Sequence, residues 1–453
     1  MNHIAQLVRL TPLALALLPM PSWADAASDI AELKARLVQL EQQVKDAAAK
    51  PAPVAAPAAS STGLQVGDTK FGFKGYVKLD AISSQFSEGE VGRTVGRDFY
   101  VPNQIPVFGA ANTGATAGTN GKSRNFFDLH AKQTRFIVTT ETPTGGANAL
   151  KGHIEMDFLS STQGDERISN GYSPELRQAF FTYGKWMAGQ AWTTFQDLGA
   201  LPETADFVGS SDGAVFGRQP QVRYTTGPWQ FSLENSQTVV GDDKANGAAL
   251  ASTGKAGTPI ATPVESNDNV IPDLVARYTH KGDFGYVSTA ALVRQLKAKN
   301  PSGAVNVGDS KTGYGVSVSG KIKVGSKDDI RFMVTHGDGI GRYMALNTSN
   351  DATLDTATGE LDLIGITAGY VTYHHMWTDK LRSNFQLSAF SADNPDSVTA
   401  DATKNVSSGL VNLMYAVNPK LDVGVEGLHA TREVEGGADG DMNRLHFMAR
   451  YNF

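Results

Sequence analysis

The last thirteen residues, DMNRLHFMARYNF from Asp441 to Phe453, constrain the fold more than any other stretch. Leu445, Phe447, Ala449, Tyr451 and Phe453 share one face of an extended strand, and Arg444, His446, Met448, Arg450 and Asn452 share the other, because successive strand side chains point to opposite sides. A chain ending on an aromatic with no polar tail predicts a terminus held within a sheet, whereas most domains end loosely. The pattern suits a membrane β-barrel, with lipid on one face and a wet lumen on the other. A soluble sandwich alternates in the same way, so this strand alone leaves both open. The run KGHIEMDF is more selective: Ile154, Met156 and Phe158 oppose His153, Glu155 and Asp157. Three ionisable groups on one strand face are costly in a dry core and acceptable in a water-filled lumen.

The other end of the chain predicts export. Met1 to Arg9 is polar and basic, Leu10 to Met20 is mostly apolar, and Ser22-Trp23-Ala24 or Ala24-Asp25-Ala26 offers small residues for cleavage, the layout of a signal peptide over residues 1–24 or 1–26. Its apolar run is too short to cross a bilayer, and no other stretch approaches the length of a membrane helix. An exported chain with no cysteine does not rely on disulfides. Its 47 glycines argue for turns and strands over helices. A formal net charge of -6 from 40 basic and 46 acidic residues gives no support to a nucleic-acid partner.

Only residues 29–49 have a helical period. Ile30, Leu33, Leu37, Leu40, Val44 and Ala47 follow the alternating three- and four-residue spacing of a coiled coil. A helix of this length is marginal alone, so it predicts two or three partner helices; a lone amphipathic helix on a surface is the competing reading. The proline- and alanine-rich tether that follows, residues 50–68, cannot continue the helix.

From Thr69 onward the period is two. Strands are predicted near 69–82, 125–140, 151–158, 175–183, 185–192, 219–226, 228–239, 270–280, 284–297, 311–324, 328–336, 361–377, 380–391, 405–417, 420–432 and 441–453, sixteen in all, with fourteen or eighteen as neighbouring counts. Short connections such as those at 143–146, 226–228 and 418–420 alternate with long ones at 87–123, 241–269, 298–310, 337–360 and 392–404. An even count and this asymmetry are those of a single-chain outer-membrane barrel with both termini in the periplasm. Closure also has an energetic cause, because every backbone polar group within hydrocarbon must be paired and an open sheet leaves an edge. The expected fold is therefore all-β: a transmembrane antiparallel barrel of sixteen strands over 69–453, preceded by a periplasmic coiled-coil helix.

Strand parity places Lys74, Lys78, Arg135, Lys151, Arg223, Arg277, Arg331, Arg382, Arg444 and Arg450 inward, with Arg177 ambiguous, and Asp80, Glu155, Asp157, Glu234 and Asp422 on the same side. A dispersed series of cations offers an anion successive weak sites, while any single arginine equally serves a neighbouring acid. Residues 193–218 mix Phe195, Leu198, Phe207, Val208 and Phe216 with Asp197, Glu203 and Asp206. That is too apolar for a freely solvated loop. It predicts either a loop folded into the barrel, with Arg218 facing the narrowest point, or an outer loop packed on its neighbours. No catalytic arrangement is evident. His374 and His375 are adjacent and point to opposite faces, and GDGIG at 337–341 and ADGDM at 438–442 are incomplete as calcium loops, so neither a metal nor any other cofactor is expected.

At this level of detail the chain resembles the DcaP-like family of Gram-negative outer-membrane transporters. The resemblance runs from the signal peptide, heptads and tether through FGFKGYVKLDAI, QTRFIVTTETPTG, KGHIEMDF, LRQAFFTYGKWMAGQAWTTFQD and GRQPQVRYTTG to the terminal phenylalanine. It implies a homotrimer of sixteen-stranded barrels in outer-membrane lipid, a three-helix periplasmic coiled coil, and diffusion of small anions, notably dicarboxylates. It also implies that a third strand-connecting loop constricts the pore, and that Arg135, Arg177, Arg218, Arg223 and Arg277 line the lumen. The expected function is an anion-preferring porin, with a nonspecific general porin as the alternative; an adhesive surface protein and an enzyme rank below both. Contact of the N-terminal helix with the periplasm or cell wall is a further expectation.

Overall fold

The computed structural model describes residues 64–108, 122–159, 168–242, 264–266, 269–297, 310–355, 358 and 360–453. The signal peptide, the coiled coil expected over 29–49 and most of the tether lie outside them. The last tether residues, Leu64–Val66, form a short strand that turns back on residues 69–71.

Sixteen antiparallel strands form the wall. They are β1 (Thr69–Phe86), β2 (Arg124–His130 and Arg135–Pro143), β3 (Ala149–Asp157), β4 (Glu175–Tyr183), β5 (Trp186–Trp192), β6 (Arg218–Thr226), β7 (Trp229–Glu234) and β8 (Asp273–Gly282). The second half continues with β9 (Gly285–Lys297), β10 (Ser310–Val324), β11 (Asp328–Asp338), β12 (Gly365–Met376), β13 (Leu381–Asp393), β14 (Thr403–Asn418), β15 (Leu421–Val434) and β16 (Asp439–Asn452). Each pairs with its neighbour in sequence, and β16 closes the ring on β1 in a register running from Tyr76 opposite Asn452 to Phe86 opposite Met442. Closure leaves no strand edge for lipid to meet. The terminus is tied in as its pattern predicts: Phe453 N–H donates to the Gly75 carbonyl at 3.1 Å.

Alternation does the rest. Val77, Leu79, Leu445, Phe447 and Tyr451 are exposed on the outside, while Lys78, Asp80, Arg444 and His446 on the same strands are buried within. At the end with short turns, aromatic rings form a girdle, Trp186 against Tyr224 at 4.7 Å and Trp229 against Tyr278 at 4.8 Å, the place such rings take at lipid headgroups. Tyr370 departs from that belt. It faces inward and donates its hydroxyl to the Ala200 carbonyl.

Three expected strands are interrupted. The second breaks at residues 131–134, where Phe158 N–H bonds to the Lys132 carbonyl instead of continuing the ladder. The strand expected over 228–239 leaves the barrel after Glu234, and that expected over 361–377 enters it only at Gly365. Their detached ends, Thr238–Asp242 and Leu361–Leu363, join Val264–Ser266 and Ala352–Leu354 in a separate four-stranded sheet. Val240, Ala352, Leu354 and Leu361 form its small core, so the apolar period continues through a segment that has changed sheets.

Candidate functional site

The connection between β5 and β6, residues 193–217, is the third on the long-loop side, and its contacts run along the inner wall. Asp197 accepts from its own loop at Gly199 N and from Tyr286 of β9 and Ser319 of β10. The Leu201 carbonyl accepts from Arg331 of β11 at 2.7 Å. Glu203 takes both arms of Arg382 of β13, each at 2.6 Å, and its carbonyl accepts from Asn384 and Asn412. The backbone N–H groups of Ala205 and Asp206 donate to Glu426 of β15, and Lys78 of β1 donates to the Ala205 carbonyl at 2.6 Å. Gly213 lies so close to β12 that a Cβ there would sit 2.3 Å from the Gly369 carbonyl oxygen.

Two further loops join it. Asp206 accepts from Tyr100 N–H of the first loop and from Val208 and Gly209 of its own. Arg444 of β16 donates to the Gly96 carbonyl and lies 3.8 Å from Asp206. The sixth loop pairs residues 343–345 with residues 214–216. Buried residues of all three loops, among them Tyr100, Ile105, Val208, Val215, Tyr343 and Met344, share one apolar cluster with inward residues of β1, β8, β9 and β11 to β16. Asp212 sits in the same interior. Burial pushes its carboxyl up to about 6, against the hydrogen bond it accepts from Ser408.

The arginines fall into groups. Arg135 and Arg177 share Glu155 and Asp157; Arg177 is buried, with both bonds at 2.6 Å, and Arg135 lies 3.3 Å from each acid. Both guanidiniums lie over the ring of Phe207. Arg218 reaches Glu175 at 3.5 Å and lies over Trp192 and Phe216. Arg223 donates to the carbonyl of Trp192, the last residue of β5, and Arg277 to that of Gln196 in the third loop; they also donate to the glutamines Gln221 and Gln230 respectively. Lys74 stands apart from these, exposed on β1.

Sequence reasoning missed Asn384, Asn412, Glu426 and Ser408. Parity alone places them beside Arg382 and Asp422, and only the absence of a known loop path hid their use.

A family model described as DcaP outer membrane protein matches residues 66–453. The chain belongs to the DcaP outer membrane protein family. A solved DcaP channel of Acinetobacter baumannii shares 24% identity over 86% of this chain and 99% of its own, with a TM-score of 0.66. OmpT of Vibrio cholerae, expressed in the outer membrane, shares 12% over 86% of this chain and all of its own, with a TM-score of 0.50. No match was found among curated proteins. This DcaP-family barrel is accordingly an outer-membrane protein of a Gram-negative bacterium, with the fold of a channel.

Proposed function

We propose that the protein is a general diffusion porin through which small hydrophilic solutes cross the outer membrane. One observation carries this reading: a closed ring of sixteen strands whose inward face bears ionisable side chains, with the third loop bound along that face. Reconstituted protein is expected to admit neutral sugars and anions of similar size at comparable rates in liposome swelling. Passage of anions alone would overturn it.

A second reading, preference for small anions such as dicarboxylates, is favoured by Arg223 and Arg277. Their hydrogen bonds go to uncharged oxygens, so their positive charge is not offset by direct pairing. Lys74 would add to the field, Arg135, Arg177, Arg218, Arg331, Lys78 and Arg444 less so because each lies against an acid, and Asp197, Glu203 and Asp206 would oppose it. This reading includes the homotrimer and the coiled coil over 29–49 that the family resemblance implies. Its test is the reversal potential in a salt gradient, which must show anion preference and lose it when Arg223 and Arg277 are replaced.

A further inference from the structure

Residues 343–345 of the sixth loop, 339–364, run antiparallel to residues 214–216 of the third. Phe216 N–H donates to the Tyr343 carbonyl at 2.8 Å, and Ala345 N–H donates to the Ala214 carbonyl at 3.0 Å. This is a backbone pairing between two loops, in the interior of the molecule, with Val215 opposite Met344. The Tyr343 ring is 1% exposed. Its hydroxyl accepts from Gln219 at the start of β6 at 2.7 Å and donates to Asp273 at the start of β8 at 2.8 Å. It thus joins the strand that the third loop feeds to the wall two strands further on.

The sixth loop is itself held rigidly. Arg294 of β9 pairs with Asp351 at 2.7 Å, and Asp351 also accepts from the backbone of Arg342 and Val239. At the last residue of the paired segment and the two that follow, Ala345, Leu346 and Asn347, φ is 50°, 58° and 59°. Three successive residues of this kind without a glycine persist only where surrounding contacts dictate the backbone. Here those contacts include Asn103 of the first loop, which donates to the Asn347 carbonyl, and the bond from Thr348 to the Ala345 carbonyl.

We propose that the sixth loop is a clamp on the third, and that Tyr343 is a positioning residue that fixes residues 214–216 and with them the width of the passage. The proposal rests on the channel reading. Strands and short turns hold the wall regardless of this contact, so loosening the clamp releases the loop without opening the barrel.

The test uses full-length protein in planar bilayers, with far-UV circular dichroism and heat-modifiable gel migration as measures of an intact barrel. Tyr343→Phe keeps the ring and removes two hydrogen bonds of a buried hydroxyl. It should raise the frequency of brief current fluctuations on the order of tenfold with both barrel measures unchanged. In Val215→Cys/Met344→Cys/Tyr343→Phe, oxidation should quiet the channel and dithiothreitol restore the fluctuations. Wild-type noise in Tyr343→Phe, together with identical oxidised and reduced traces, overturns the clamp while leaving the channel reading intact. Should Tyr343→Phe fail to fold, Gln219→Leu, which removes the donor to the same hydroxyl, takes its place in both arms, with the same outcomes supporting or overturning the clamp. Wild-type protein that conducts nothing overturns the channel reading, and the clamp with it.

Discussion

Asp206 is the residue on which the joint between the first and third loops most depends, and Asp206→Asn tests it with almost no change of shape. One carboxylate oxygen accepts from Tyr100 N–H at 2.9 Å, and the other from Val208 and Gly209 at 3.2 and 3.0 Å. An amide has one accepting oxygen. The orientation that keeps two bonds places its NH2 against the Tyr100 N–H, donor to donor. Losing a bond to a charged acceptor costs roughly 1.5–3 kcal/mol, and leaving a buried donor unsatisfied costs roughly 1–3 kcal/mol. Removing one negative charge relieves repulsion from Glu426, which binds the neighbouring backbone, while leaving Arg444 without its nearby carboxylate. A net cost of about 2 kcal/mol remains, or roughly thirty-fold in the opening equilibrium of the joint. Hydrogen exchange read by mass spectrometry should therefore quicken by about that factor in peptides covering 95–107 and 206–209. Strand peptides should keep wild-type protection, since their ladders are untouched. Unchanged exchange in both loop segments, with the variant folded, would refute the assignment of Asp206 as the joint.

Three other outcomes follow from the same contacts. Replacing Arg223 and Arg277 together with Gln should lower anion-over-cation selectivity: a unit charge about 5 Å away in water is worth about 0.8 kcal/mol, so the pair changes anion occupancy by up to roughly seventeenfold at low salt and little at 1 M, where the screening length is about 3 Å. Reversal potentials at the two salt concentrations check this. Because the folded carboxyl of Asp212 is raised to about 6, the native loop binds its proton more tightly than the unfolded chain does. That contribution is complete below the ordinary carboxylate range and is lost as pH rises through about 6. Loop protection should then fall between about pH 4 and about pH 6 and level off above that, and Asp212→Asn should flatten the profile. Gly213→Val should lower single-channel conductance, because a side chain meeting the Gly369 carbonyl pushes the loop off the wall into the passage.

The wall was legible because its forces are local and repetitive. Each strand carries its own alternation, so Leu445 and Phe447 against Arg444 and His446 already say which face is wet. Where strands changed sheets, as at Val240 and Leu361, the period continued unbroken and gave no warning. The path of the third loop was not legible, because its partners are remote: Ala205 N–H finds Glu426 across 221 residues, and Asp206 finds the Tyr100 N–H across 106. Composition did signal that residues 193–218 need burial. It carried no information about which wall would supply it.

The same distance problem changes the meaning of the arginines. Parity counts Arg331, Arg382 and Arg444 as equivalent inward cations. Their partners differ: Arg331 spans Asp329 and a loop carbonyl, Arg382 is paired with Glu203 and Asp422 in a cluster that Arg450 completes, and Arg444 is buried beneath the first loop. A guanidinium bound to a carboxylate contributes little field to a passing solute, whereas one bound to a carbonyl keeps its charge. Selectivity in this barrel is therefore governed less by how many arginines face inward than by what the third loop presents to each. On this argument, Glu203→Gln, which removes the acid from Arg382 but keeps an accepting oxygen, should shift selectivity toward anions with no arginine added.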